Sequence, residues 1–194
     1  MRLSHFFAYL SRMRLIQRWG LMRNTQMENI QEHSLQVAMI AHGLAVIRNI
    51  WFNGALNPER VLSLAVYHEV GEVITGDLPT PIKYFNPEIK KAYNEIEELA
   101  KQKLIHMLPE ECQTQYNEYF FHTEADQENW RVVKAADKLS AYLKCMEELR
   151  SGNEEFFKAK NKIEVELRDM QLPEVRFFLD HFAPSFALTL DELN

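Results

Sequence analysis

Between positions 67 and 81 the chain reads YHEVGEVITGDLPTP, which sets His68, Glu69 and Glu72 within five residues, with Asp77 shortly after. The run VLSLAVY ahead of His68 is apolar. A helix carried through this stretch places His68 and Glu72 on one face, one turn apart. Glu69 then stands about 100° round from His68. If that face turns inward, its carboxylates need a cation or a donor to offset lost hydration. An exposed helix end with solvated charges accounts for this window equally well.

Two further residues favour the inward arrangement. His33 opens a long uncharged segment in NIQEHSLQVAMIAH, and Asp137 lies in VVKAADKLSAYL among Val133, Ala136, Ser140 and Ala141. Those neighbours mark a buried helical stripe. Singly, each residue is more often a hydrogen-bonded core group than a ligand. Together, His33, the His68 pair and Asp137 offer mixed nitrogen and oxygen donors from three segments. Such a set suits Mn, Co, Fe or Zn better than a soft copper site. His5, His42, His106, His122 and His181 have no acid at a telling spacing and read as structural. HEVGE lacks the second histidine of a zinc-protease helix, and neither a Walker loop nor a G-x-S-x-G elbow occurs.

The elements that must position these groups read as helices throughout. Asn57-Pro58 and Asn86-Pro87 each pair a capping side chain with a proline suited to the first helical position. Gly76 is placed to end the segment that begins at 58. Helices are expected before Gly20 and over 31–49, 58–76, 87–108, 126–150, 154–170 and 173–182. Residues 110–124 are open between helix and ordered loop, and PSFALTLDELN reads as a surface strap. No alternating strand pattern is found, so the expected fold is all-α, about seven helices in a single domain spanning 1–194.

Composition narrows the class. The 194 residues are 46% hydrophobic, enough for one sizeable core. A net charge of −6 argues against binding a nucleic-acid polymer. Two distant cysteines imply no disulfide framework, and the longest uncharged stretch, 34–47, is too short to span a bilayer. A cytoplasmic protein without a membrane segment is expected.

The blocks SHFFAYLSRMRLIQRWGLMRN, ENIQEHSLQVAMIAH, GDLPTPIKYFN, KAADKLSAYLKCMEEL and PSFALTLDEL resemble the bacterial 5′-deoxynucleotidases of the HD-domain phosphohydrolase superfamily, over essentially the whole chain. The resemblance implies metal-dependent hydrolysis of deoxyribonucleoside 5′-monophosphates by an HD-domain-like bundle. It implies one divalent ion (Co, Mn, Zn or similar) on His33, His68, Glu69 and Asp137. Glu72 and Arg18 would be catalytic. Arg18, Trp19, Asp77, Leu78, Pro79 and Thr80 would contact substrate, and the protein would be a homodimer. One position departs: the family pattern has Asp where this chain has Glu69, which moves the carboxylate by roughly a bond length. The alternatives are an HD phosphohydrolase acting on a ribonucleotide or a phosphodiester, and a catalytically impaired nucleotide-binding homologue.

Overall fold

The computed structural model describes residues 3–83 and 85–193. Ten α-helices and no named strand are found among them: α1 (Phe6–Leu10), α2 (Ile30–Trp51), α3 (Pro58–Val66), α4 (Glu72–Thr75), α5 (Thr80–Lys83), α6 (Pro87–Ile105), α7 (Glu110–Phe120), α8 (Gln127–Arg150), α9 (Phe157–Asp169) and α10 (Pro173–His181). The architecture is all-α, as expected. The count exceeds seven because 58–76 divides, Thr80–Lys83 makes one extra turn, and the ambiguous 110–124 segment is largely helical. The expected strap consists of two 3-10 turns, Ala183–Ala187 and Leu190–Leu193.

The helix starts follow their capping residues. The Asn29 side chain accepts from the N–H groups of Gln31 and Glu32 at 3.1 Å each. Asn57 accepts from Arg60 at 3.0 Å, and Asn86 from Ile89 at 2.7 Å, each followed by proline in the first turn. These caps satisfy backbone donors that helix geometry leaves unpaired.

Two long helices, α2 and α8, pack on each other and on α3, with α9 and α10 closing α8 and α2 from other sides. Val37, Leu44, Leu64, Leu139, Leu143 and Val175 form the centre of this core, each fully buried. Burying a Leu or Val side chain stabilises by about 1.5–3 kcal/mol, so this cluster holds α2 and α8 in fixed register. A second cluster, with Phe6, Ile30, Val70, Leu104 and Phe120, ties α1, α6 and α7 to the segment that carries His68 and Glu72.

That segment departs from the sequence expectation. The helix stops at Tyr67, whose N–H donates to Leu64 rather than to the residue four back. Residues 67–71 form tight turns, with Val70 N–H donating to Tyr67 and Glu72 N–H to Glu69. His68 and Glu72 therefore do not share one helical face. Gly71 sits where an added Cβ would lie 3.3 Å from the Glu97 carbonyl oxygen, so the turns press against α6. Gly76 ends α4 with φ +75° and ψ 166°, a region open to glycine but not the left-handed helical one expected.

Candidate metal centre and active site

Nitrogen and oxygen atoms of His33, His68, Glu69 and Asp137 come within 4.8 Å of one another. His33 comes from the first turns of α2, Asp137 from the middle of α8, and His68 and Glu69 from the turns between α3 and α4. The core contacts of α2, α3 and α8 bring these distant positions together.

Both imidazoles are set for coordination through Nε2. His68 Nδ1 lies 2.7 Å from the Ala65 carbonyl, so it carries the proton and donates. His33 Nδ1 lies 3.2 Å from Ser140 Oγ, whose own hydroxyl donates to Gln36 Oε1 at 2.7 Å. Ser140 therefore accepts from His33 Nδ1. Each Nε2 is buried without a hydrogen-bond partner. His33 Nε2 stands 3.1 Å from Asp137 Oδ1 and 3.5 Å from Glu69 Oε2, and His68 Nε2 stands 3.9 Å from Glu69 Oε1. Two orphaned nitrogens facing two carboxylates are the pattern a divalent cation satisfies, with the Nδ1 bonds fixing ring orientation. Two nitrogens and two oxygens also match the donor preference of Mn, Co and Zn. The four residues fit a metal.

The electrostatics are tightly coupled. Burial lowers the His33 pKa, but Glu69 and Asp137 outweigh it and hold the ring at about 9. Burial dominates at His68, whose pKa is lowered. The Asp137 and Glu69 carboxyls lie below their usual range: burial opposes ionisation, and the surrounding cations overcome it. Glu72 differs. It is 5% exposed, its Oε2 has no partner, and burial together with Glu69 and Asp77 raises its pKa well above the carboxylate norm.

Arg18 and Trp19 arrive on a loop closed by short antiparallel pairing. Ile30 N–H donates to Ile16, and Arg18 N–H donates to Glu28 at 2.9 Å. Arg18 Nη1 reaches both Glu69 oxygens, at 2.7 and 2.8 Å. Trp19 has φ +58°, which is costly for a bulky residue. Its indole N–H donates to Glu28 Oε2 at 2.9 Å, and its ring packs 5.4 Å from Phe156. These contacts hold the strained conformation.

A cavity of 910 Å³ opens beside the cluster, lined by Arg18, Trp19, Asp77, Pro79, Thr80 and Asp137, among others. The structure thus gathers five of the six predicted substrate residues around one space. Leu78 stands in the same loop but does not line it. Glu72 does not line it either, and instead lines a smaller cavity together with His68, Glu69 and Asp137.

Glu28 was not singled out from the sequence. It accepts from Arg18 Nε at 3.2 Å and from Trp19 Nε1, and its Oε1 lies 3.8 Å from His33 Nδ1. One acid thereby orients three site residues. The visible signal was its place in ENIQEHS, but nothing local separates it from a solvated capping acid. Ser140 and Gln36 are in the same position.

The likeness to known proteins follows the geometry. The fold is that of the HD-domain phosphohydrolases. An HD-domain phosphohydrolase from Listeria innocua superposes with a TM-score of 0.80 at 22% identity, covering 94% of this chain and 88% of that one. A cyanophage S-2L HD phosphohydrolase bound to dA and one catalytic Zn²⁺ superposes at 0.64 and 19% identity, covering 92% and 96%. Within that class, the chain matches the model of the 5′-deoxynucleotidase YfbR-like family over residues 5–186 and belongs to that family. A 5′-deoxynucleotidase of Vibrio cholerae is 56% identical over 194 residues, the full length of both chains.

Proposed function

We propose that this chain hydrolyses deoxyribonucleoside 5′-monophosphates to the deoxynucleoside and phosphate, with one divalent ion held by His33, His68, Glu69 and Asp137. The observation that carries this reading is the pair of orphaned Nε2 atoms facing two carboxylates beside the 910 Å³ cavity. Membership of a 5′-deoxynucleotidase family supports the substrate, as does dA in the cyanophage fold relative. Co, Mn or Zn fits the donor set, and the relative's catalytic Zn²⁺ supports zinc among them.

When bound, the metal polarises a phosphoryl oxygen and lowers the pKa of a coordinated water toward neutrality. The chain's own groups do the rest. Arg18, seated between Glu28 and Glu69, offers a permanently charged guanidinium to the phosphate, and its Nη2 is not used by either acid. Glu72 holds a proton at its unpartnered Oε2 and exchanges it as water adds to phosphorus. Trp19 presents a flat apolar face to the deoxyribose, where a 2′-hydroxyl would lose hydration without a partner. Asp77, Pro79 and Thr80 wall the same cavity, and Leu78 shapes the loop that carries them.

No helix among the described residues is long and apolar enough to cross a membrane. We read the chain as a cytoplasmic, single-domain enzyme without a membrane partner, and the −6 charge disfavours a nucleic-acid polymer as ligand. A homodimer is supported by a stripe on α2, where Leu35, Met39 and Ile50 are 60%, 60% and 63% exposed. They recur at helical spacing, and such stripes mark protein interfaces. Light scattering on Met39→Glu is expected to show half the wild-type mass; an unchanged mass removes this face as the dimer surface.

The deciding experiment is phosphate release from dAMP and AMP by metal-stripped protein given back Mn, Co, Zn or Mg. Release from dAMP with little from AMP is expected. Equal release from both would point to another phosphohydrolase. Binding of dAMP without release under any metal would mark an impaired homologue.

A further inference from the structure

Asp137 lines two cavities. The larger is the nucleotide cavity described above; the smaller measures 240 Å³. On the cluster side it is lined by His68, Glu69, Glu72 and Asp137, and beyond them by Lys101, His122, Trp130 and Lys134. The hydrolysis described so far leaves those last four residues without a role. We propose that the smaller cavity is a site for inorganic phosphate, through which that product is held and released while the deoxynucleoside occupies the larger one. The proposal rests on the hydrolase reading above.

Size separates the two spaces. Pockets for ligands of nucleotide size run from about 300 to 1,000 Å³. The larger cavity falls within that range and the smaller one below it, with room for phosphate and water but not for a nucleoside.

The path is built on one helix face. Trp130, Val133, Lys134 and Asp137 fall at i, i+3, i+4 and i+7 on α8, which aligns them in a single stripe. Asp137 and Trp130 stand seven residues apart, about 10 Å along the helix, and the exposed Lys134 lies between them, one turn from Asp137. Glu97 and Lys101, four apart on α6, form the facing wall.

The lining suits an anion away from the cluster. Lys101 pairs with Glu98 at 2.9 Å, and Lys83 with Glu97 at 3.3 Å. Lys134 has no ion-pair partner among the described residues. The Trp130 indole N–H is buried with no acceptor, although its ring is only 6% exposed and stacks on His122 at 4.0 Å. An unsatisfied buried donor is costly and calls for a partner. A phosphate oxygen supplies one when the His122–Trp130 stack shifts to open the N–H to the cavity, and the free ammonium of Lys134 supplies charge.

The chemistry gives direction. Water oxygen forms a bond to phosphorus on the face opposite the departing 5′ oxygen. The phosphorus–O5′ bond breaks with its electron pair on O5′, which takes up one proton as the attacking water gives one up. With the nucleoside in the larger cavity, the phosphoryl group moves away from it, toward the smaller one.

The test uses metal-loaded full-length protein with inorganic phosphate as the probe, by calorimetry and as a product inhibitor of dAMP hydrolysis. Lys134→Glu is expected to weaken phosphate about tenfold in both measurements. Inhibition by deoxyadenosine should change less than about twofold, and Lys134→Arg should restore phosphate binding. Trp130→Phe keeps the ring, removes the donor, and is expected to weaken phosphate about fivefold. Unchanged phosphate affinity in both Lys134→Glu and Trp130→Phe overturns the proposal, as does equal loss of deoxyadenosine inhibition. If the wild-type protein releases no phosphate from dAMP, the hydrolase reading fails instead, and calorimetry still decides whether this cavity takes phosphate.

Discussion

Glu69 concentrates the chemistry of the centre in one side chain. It faces both histidines from the turn after α3 and accepts two bonds from Arg18 Nη1. An aspartate is one methylene shorter and would draw its oxygens back from Arg18 toward its own backbone. A displacement near 1 Å changes rates by about 100-fold where geometry limits the reaction. Glu69→Asp is therefore expected to raise kcat by about tenfold and to tighten Mn binding; steady-state kinetics and calorimetry check both. Equal turnover would show that the longer arm is fully accommodated. Glu72 is the contrasting acid, unpartnered and displaced upward in pKa. Glu72→Gln is expected to lower kcat by about 100-fold or more while leaving metal affinity near wild type. Loss of metal binding in that variant would make Glu72 a ligand instead.

At the scale of elements, the loop carrying Arg18 and Trp19 depends on α8. The Glu148 carboxylate is 1% exposed and accepts from Thr25 N–H at 2.9 Å, Thr25 Oγ1 at 2.6 Å, Gln26 N–H at 3.2 Å and Asn153 Nδ2 at 2.8 Å. Lys144, also buried, pairs with the same carboxylate and donates to the Gln26 carbonyl. These bonds hold the carboxyl far below its usual range, against the cost of burial. Glu148→Gln leaves Lys144 buried without its counter-charge, which costs about 3 kcal/mol. For a chain of this size that is a fall of roughly 10 °C in Tm. Because the loop positions Arg18, KM for dAMP should rise as well. Calorimetry and kinetics on this variant test the coupling; a lower Tm with unchanged KM would show that the loop holds Arg18 without Glu148.

For the whole molecule, the joint between α3 and α8 introduces a pH dependence remote from the centre. Arg60 Nε donates to Asp126 Oδ1 at 3.1 Å and Arg60 Nη2 to Oδ2, with Thr123 and Asn129 adding bonds at 2.9 and 2.8 Å. Arg60 first, then those neighbours, outweigh burial and lower the Asp126 pKa to about 2. The folded value lies below the unfolded one, so the stabilisation is fully present above about pH 4 and is lost as pH falls toward 2. The difference corresponds to about 2 kcal/mol. Denaturant titrations of wild type and Asp126→Asn are expected to differ at pH 6 and to converge near pH 2. A constant difference would show that the pair does not titrate with folding.

The sequence by itself determined the all-α class, the helix starts at Asn57 and Asn86, and the residue types of the candidate metal set, because caps and donor chemistry are local properties. The family was legible as well, since its blocks run through the whole chain. The break of the helix at Tyr67 was not, because VLSLAVYHEVGEV satisfies helical periodicity, and only packing of the Gly71 turn against α6 makes the tight turns preferable. Glu28, Ser140 and Glu148 were equally hidden. Each has an ordinary local context and gains its meaning from groups 5 to more than 100 residues away, such as His33 for Ser140 and Thr25 for Glu148. The two cavities that Asp137 lines were also decided by the tertiary structure, since a cavity is what packed helices leave between them and no residue encodes it alone.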